Sequence, residues 1–112
     1  MDVHLISARD VYVYFREGTL LVDMRDEAAF EKWHLPGAVC VPYEEDYRQW
    51  RAALPEFRAV ILYCDRGNNS LYAARKMEEA GDTVYAVAGG ASLGVLDGAA
   101  EMGCFSIGVD QD

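Results

Sequence analysis

The chain has 112 residues, and its ten Lys and Arg against nineteen Asp and Glu give a formal charge of −9. With 52% hydrophobic and 26% charged residues it is neither disordered nor fibrous, and residues 1–112 read as one domain with a real core. No cluster of Lys or Arg stands ready to neutralise phosphates, which argues against a nucleic-acid or anionic-membrane partner.

In chain order, Met1-Asp2-Val3-His4 lacks the basic n-region of a signal peptide, and no apolar run approaches the roughly 20 residues that cross a bilayer. A cytosolic location without membrane attachment is the expectation. Ser7-Ala8-Arg9-Asp10 reads as a helix start, with Ser7 as cap, Asp10 in the first turn, and Val11, Tyr14 and Phe15 on one face. Gly18 is expected to end that helix. Residues 19–22 form a short apolar and β-branched run that stops at Asp23, as in a buried strand with its polar end at the sheet's edge. Residues 26–32 read as a short helix with Ala29 and Phe30 inward, broken by Leu35-Pro36-Gly37. Residues 38–41 are a further strand closed by Pro42.

Between 43 and 54 the apolar residues Tyr43, Tyr47, Trp50 and Leu54 recur every three or four positions. That spacing predicts an amphipathic helix with Glu44, Glu45 and Asp46 on its solvated face, ended by Pro55. Residues 59–63 are the most continuous apolar strand in the chain and suit the middle of a parallel sheet. Cys64-Asp65-Arg66-Gly67-Asn68-Asn69 has turn chemistry, and Ser70 opens a helix to 80 with Leu71, Ala74 and Met77 inward and Gly81 as its stop. Residues 83–87 add a strand, 89–90 a turn, 91–102 a glycine-interrupted helix and 104–107 an edge strand. Strands alternating with single helices predict a three-layer α/β/α domain with a central, mainly parallel sheet, whose ligands bind outside the carboxyl ends of the strands.

Three cysteines, Cys40, Cys64 and Cys104, are an odd number without CxxC spacing, which suits neither a disulfide framework nor structural zinc. Only His4 and His34 could add to them, so neither a metal nor another cofactor is expected. Cys40 alternates with Val39 and Val41 and reads as core, and Cys104 has no assigned role. Cys64 is different, because a thiol between a strand end and a helix start sits where loop and first-turn N–H groups converge and the helix dipole adds positive charge. Helix N-termini are among the settings that move a thiol from its usual pKa of about 8.5 toward thiolate, the nucleophilic form. Gly67 lets the backbone turn, and Asn68 and Asn69 tolerate left-handed φ. Spacing alone leaves this open against a small, buried, inert cysteine.

The run Leu21-Val22-Asp23-Met24-Arg25-Asp26-Glu27-Ala28-Ala29-Phe30, with His34-Leu35-Pro36-Gly37-Ala38-Val39 after it, resembles the first signature of the rhodanese-like superfamily. Leu62-Tyr63-Cys64-Asp65-Arg66-Gly67-Asn68-Asn69-Ser70, with Ala73-Ala74 and later Gly89-Gly90, resembles its active-site loop and the segment next to that loop. The correspondence runs in register from about Ile6 to Gly90. It implies a single-domain rhodanese fold in which Cys64 takes a sulfane sulfur as a persulfide and Asp65, Arg66, Gly67, Asn68, Asn69 and Ser70 bind substrate. The partners would be a small sulfane-sulfur donor and a thiol acceptor, or a protein persulfide.

The chain also departs from the family. Members that handle thiosulfate often carry a basic residue where Asn69 stands; Arg66 is the residue that would compensate, but Asp65 beside the cysteine opposes an anionic donor, which argues against thiosulfate. Gly94 stands where an aromatic residue commonly packs, and Trp33 replaces a small residue before His34. Asp23 and Arg25 are expected to make structural contacts near the strand end, and His34 to order the 35–37 turn.

Three other functions compete with sulfur transfer. A cysteine phosphatase of related loop geometry would need an arginine at the loop's end, where Asn69 and Ser70 stand. Gly90-Ala91-Ser92-Leu93-Gly94 matches the GxSxG elbow, but no histidine comes after it to complete a triad. A non-enzymatic, protein-binding or redox-sensing rhodanese-like module is the remaining alternative.

Overall fold

A computed structural model describes residues 3–88. The elements expected at 89–107, the GxSxG match, Gly94 and Cys104 lie outside the described residues. Five strands, β1 (His4–Ile6), β2 (Thr19–Asp23), β3 (Val39–Cys40), β4 (Ala59–Tyr63) and β5 (Val84–Val87), form one sheet in the order β1-β5-β4-β2-β3. Every pairing is parallel, as the alternation of strand and helix requires.

Side-chain alternation divides the core between the two faces of the sheet. Val22, Val60 and Leu62 point to one face with Trp50, Ala73, Ala74 and Met77, whereas Leu21, Ile61 and Tyr63 point to the other with Val11 and Leu35. Helices α3 (Tyr47–Ala52) and α4 (Asn68–Glu79) supply the first layer, and α1 (Val11–Tyr14) supplies part of the second. The central strand β4 is buried from Val60 to Tyr63, which is why its sequence is continuously apolar.

Several local expectations need correction. The first helix is a 3-10 turn at Ala8–Asp10 leading into the single turn α1, it ends at Phe15 rather than Gly18, and Ser7 makes no side-chain cap. Strand β1, not expected from the sequence, pairs with β5 from His4 to Ile6. Helix α2 (Glu27–Lys32) is capped by Asp26, whose side chain accepts from Ala29 N, but it has no fully buried residue. Ala29 and Phe30 are only partly covered.

The helix expected over 43–54 begins only at Tyr47, because Asp46 caps it by accepting from Arg48 N. Tyr43 stays outside it, its N–H donating to the Met24 carbonyl at 3.1 Å, so Glu44 and Glu45 are exposed loop rather than helix face. In α4 the helix starts at Asn68 rather than Ser70, and its inward residues are Ser70, Ala73, Ala74 and Met77. Leu71 is only partly buried. At its other end Gly81 takes φ +100, and N–H donation from Gly81 to Glu78 and from Asp82 to Met77 closes a Schellman stop.

Candidate active site

The parallel register brings three strand ends together. Asp23 on β2 lies opposite both Cys40 on β3 and Tyr63 on β4. Immediately beyond these residues, Met24 N donates to the Tyr63 carbonyl at 2.8 Å and Val41 N to the Asp23 carbonyl at 3.0 Å. A cleft of about 530 Å³ opens at this edge, lined by Met24, Arg25 and Asp26 after β2, Pro42 and Tyr43 after β3, and Cys64 with part of its loop after β4. It lies where open α/β sheets place their ligands.

Cys64 sits at the base of the cleft, only 4% exposed. Its Sγ accepts the backbone N–H of Gly67 at 3.2 Å and that of Ser70 at 3.3 Å, and Ser70 Oγ stands 3.3 Å away. Gly67 makes the approach possible with φ +90, a left-handed conformation that costs a residue with a Cβ. No described non-glycine residue has positive φ, so Asn68 and Asn69 do not use the left-handed freedom expected of them. They form the first turn of α4 instead, where the N–H groups have no partner within the helix.

The loop residues divide by position. Asp65, Arg66, Asn68 and Asn69 line the cleft with Cys64. Gly67 and Ser70 do not line it, and they act on the site through their N–H groups, which donate to the Cys64 sulfur. Ser70 is fully buried. The other two cysteines differ from Cys64: Cys104 lies outside the described residues, and Cys40 is partly exposed rather than core. Burial, with the nearby Asp23 charge, pushes the Cys40 thiol above its usual range.

Asp23 and Arg25 make structural contacts near the strand end as expected, but with each other, which the sequence did not reveal, and Arg25 also lines the cleft. Asp23 is fully buried, and its carboxylate accepts from Arg25 Nε at 3.0 and 3.1 Å and from Nη2 at 2.7 Å. Nη2 also donates to the Trp33 carbonyl, and the guanidinium lies 5.2 Å from the centroid of the Trp33 ring. Desolvation works against this charge, but the bond to Asp23 and its opposite charge outweigh it and hold Arg25 above the usual arginine range. Tyr63, fully buried, receives Leu35 N–H at 3.0 Å. Burial, and then the Asp23 charge, drive its phenol well above the ordinary tyrosine range. His34 stacks on Phe30 at 3.7 Å, with Nδ1 2.8 Å from the Phe30 carbonyl, which fixes the chain entering the Leu35-Pro36-Gly37 turn.

The rhodanese-like domain family model matches residues 7–93, more than three quarters of the chain. The chain belongs to the rhodanese-like domain family. A tRNA sulfurtransferase from Pyrobaculum aerophilum is 35% identical over 71 residues, which are 63% of this chain and 14% of that protein. Among solved structures, reduced Bacillus anthracis CoADR-RHD superposes with a TM-score of 0.73 at 23% identity, covering 88% of this chain and 17% of that one. A thiosulfate sulfurtransferase from Pseudomonas aeruginosa gives a TM-score of 0.66 at 21% identity, covering 90% of this chain and 19% of that one. These structural likenesses establish the rhodanese-like fold. The chain spans only a small part of each of these relatives. No described helix is long and apolar enough to cross a membrane.

Proposed function

We propose that this rhodanese-like domain is a sulfurtransferase that carries a sulfane sulfur on Cys64. The observation that carries this reading is the pair of backbone N–H groups, from Gly67 and Ser70, aimed at a cysteine sulfur at the base of an open cleft. An inert core cysteine needs no such donors, whereas a sulfur that must bear negative charge does.

That arrangement suits a two-step transfer. The Cys64 thiolate attacks the outer sulfur of a donor, the donor's S–S bond breaks, and its remaining sulfur leaves as an anion. The new persulfide extends from Cys64 into the cleft, where the first-turn N–H groups of α4 and the helix's positive end favour negative charge. A thiophilic acceptor then takes the outer sulfur and returns Cys64 to thiolate. Both steps balance without a proton transfer to a protein base. The names of the tRNA sulfurtransferase and thiosulfate sulfurtransferase relatives agree with sulfur transfer.

The test is turnover with cyanide as acceptor. Thiocyanate should form from a persulfide donor with ping-pong kinetics, and Cys64→Ser should abolish it. Thiocyanate formation at an unchanged rate in Cys64→Ser would remove Cys64 from the reaction.

A further inference from the structure

Helix α4 has an outer face that the core does not use. Its inward line is Ser70, Ala73, Ala74 and Met77, so by the helical period the opposite line runs through Asn68, Tyr72 and Arg75, with Asn69 and Lys76 beside it. All five are exposed. Tyr72 is 60% exposed, a large ring left in water on the helix that starts at the Cys64 loop. Arg75 and Lys76 are its neighbours one turn on, as Asn68 is one turn back.

Charge on this face runs against the rest of the chain. Overall ten Lys and Arg stand against nineteen Asp and Glu, yet from Arg66 to Met77 the chain carries Arg66, Arg75 and Lys76 and no acidic residue. These three cations take no part in the ion pairs Arg25–Asp23, Arg48–Asp46 and Arg51–Asp82. Asp65, just before the stretch, acts on Arg25. An exposed tyrosine among arginines is the composition that anchors protein interfaces.

The face is continuous with the site, because Arg66, Asn68 and Asn69 line the cleft with Cys64. From Asn68 to Lys76 the helix rises about 12 Å, beyond the reach of a small molecule seated in the cleft. A ligand that uses both is therefore a macromolecule. Three cations fall short of the roughly six to ten phosphate contacts typical of nucleic-acid binding, and an RNA backbone would carry its charge on toward Glu78 and Glu79. A protein can set a few carboxylates against the three cations and an apolar side chain against Tyr72. Salt screens charges more than about 8 Å apart, so those carboxylates respond to the cations next to them rather than to the net −9.

We propose that the outer face of α4 docks the protein that takes sulfur from Cys64, and that this partner presents acidic side chains and an apolar anchor beside its reactive cysteine. This rests on the sulfurtransferase reading of Cys64. In the exchange the partner's thiolate forms a bond to the outer sulfur of the Cys64 persulfide, the S–S bond on Cys64 breaks, and Cys64 departs as thiolate with the electron pair. The outer sulfur keeps its proton and its oxidation level, so no oxidant or reductant is required.

The test offers the persulfide-loaded full chain three acceptors: a cysteine peptide carrying glutamates and a leucine, the same peptide with lysines for glutamates, and cyanide. At about 0.15 M salt the glutamate peptide should take sulfur roughly tenfold faster than the lysine peptide, and the difference should vanish near about 1 M salt. Arg75→Glu combined with Lys76→Glu should erase the preference, and Tyr72→Ala should slow transfer to the glutamate peptide severalfold. Both variants should transfer to cyanide at the unaltered rate, which reports an intact fold and loop. Equal rates for the two peptides in the unaltered protein, or a preference that survives in the double variant, would overturn the docking assignment while leaving sulfur transfer standing. Stronger inhibition of the glutamate-peptide reaction by single-stranded oligouridylate than by a cysteine-free glutamate peptide would also overturn it, by giving the face to nucleic acid. Failure of Cys64 to load from any sulfane donor would overturn both readings.

Discussion

The Gly67 N–H points at Cys64 Sγ from 3.2 Å, and it does so because Gly67 holds φ +90. A donor placed this way depends on a residue without a Cβ, so loop conformation and sulfur chemistry are linked at one position. Gly67→Ala should lower stability by about 1 kcal/mol and slow sulfur loading of Cys64 by more than its effect on folding explains. Parallel urea melts and loading rates check this, and an unchanged loading rate would separate the loop's shape from the chemistry.

The Asp23–Arg25 pair carries a larger energetic consequence. Asp23 is fully buried and Arg25 nearly so, and removing one partner of such a pair leaves an uncompensated charge. Asp23→Asn should cost on the order of 3 kcal/mol, read as a lower urea midpoint at unchanged slope. A loss below about 1 kcal/mol would show that water reaches the guanidinium and supports it alone.

Much of this framework is legible in the residues, and the failures have physical causes. Strand β4 can be bounded correctly because burial on both faces leaves an uninterrupted apolar run, with a break in pattern at Cys64. Strand β1 is invisible because it is a three-residue edge strand with His4 and Leu5 exposed, so it has no alternation to read. Tyr43 mimics a helical face, since an apolar loop residue packed against the core falls at helical spacing from Tyr47 by accident. Asn68 and Asn69 look like turn residues by type, although backbone geometry needs only Gly67 to turn. Cys64 and its loop are legible because they are contiguous. Arg25, Asp26, Pro42 and Tyr43 are not, because only the β2–β4 and β2–β3 pairings bring those segments to the same edge. The available signal is positional: residues just past the carboxyl end of each parallel strand share that edge.

Tyr63 predicts an alkaline limit to stability. Its folded pKa is raised by burial and by the Asp23 charge, so the folded state holds the phenolic proton more tightly than the unfolded chain. The resulting stability is fully present below the unfolded tyrosine value of about 10 and declines as pH rises above it. Tyr63→Phe should flatten the fall in stability between about pH 10 and 11, although it also removes the acceptor for Leu35 N–H. Urea melts across that range decide it, and an identical slope in the variant would contradict the assignment.

Asp65 and Asn69 line the cleft with Cys64 and bear on thiosulfate. Asp65→Ala or Asn69→Arg should raise the rate with thiosulfate severalfold and change the rate with an uncharged sulfur donor much less. The contrast should shrink at high salt. Equal changes for both donors would mean that the substitutions act through loop shape rather than charge.

The central claim, that Cys64 carries sulfur, is tested most directly by the mass of the intact protein after exposure to a persulfide donor and removal of excess reagent. One added sulfur atom is expected, absent in Cys64→Ser and released by cyanide or dithiothreitol. No added sulfur from any sulfane donor, or the same addition in Cys64→Ser, would contradict it.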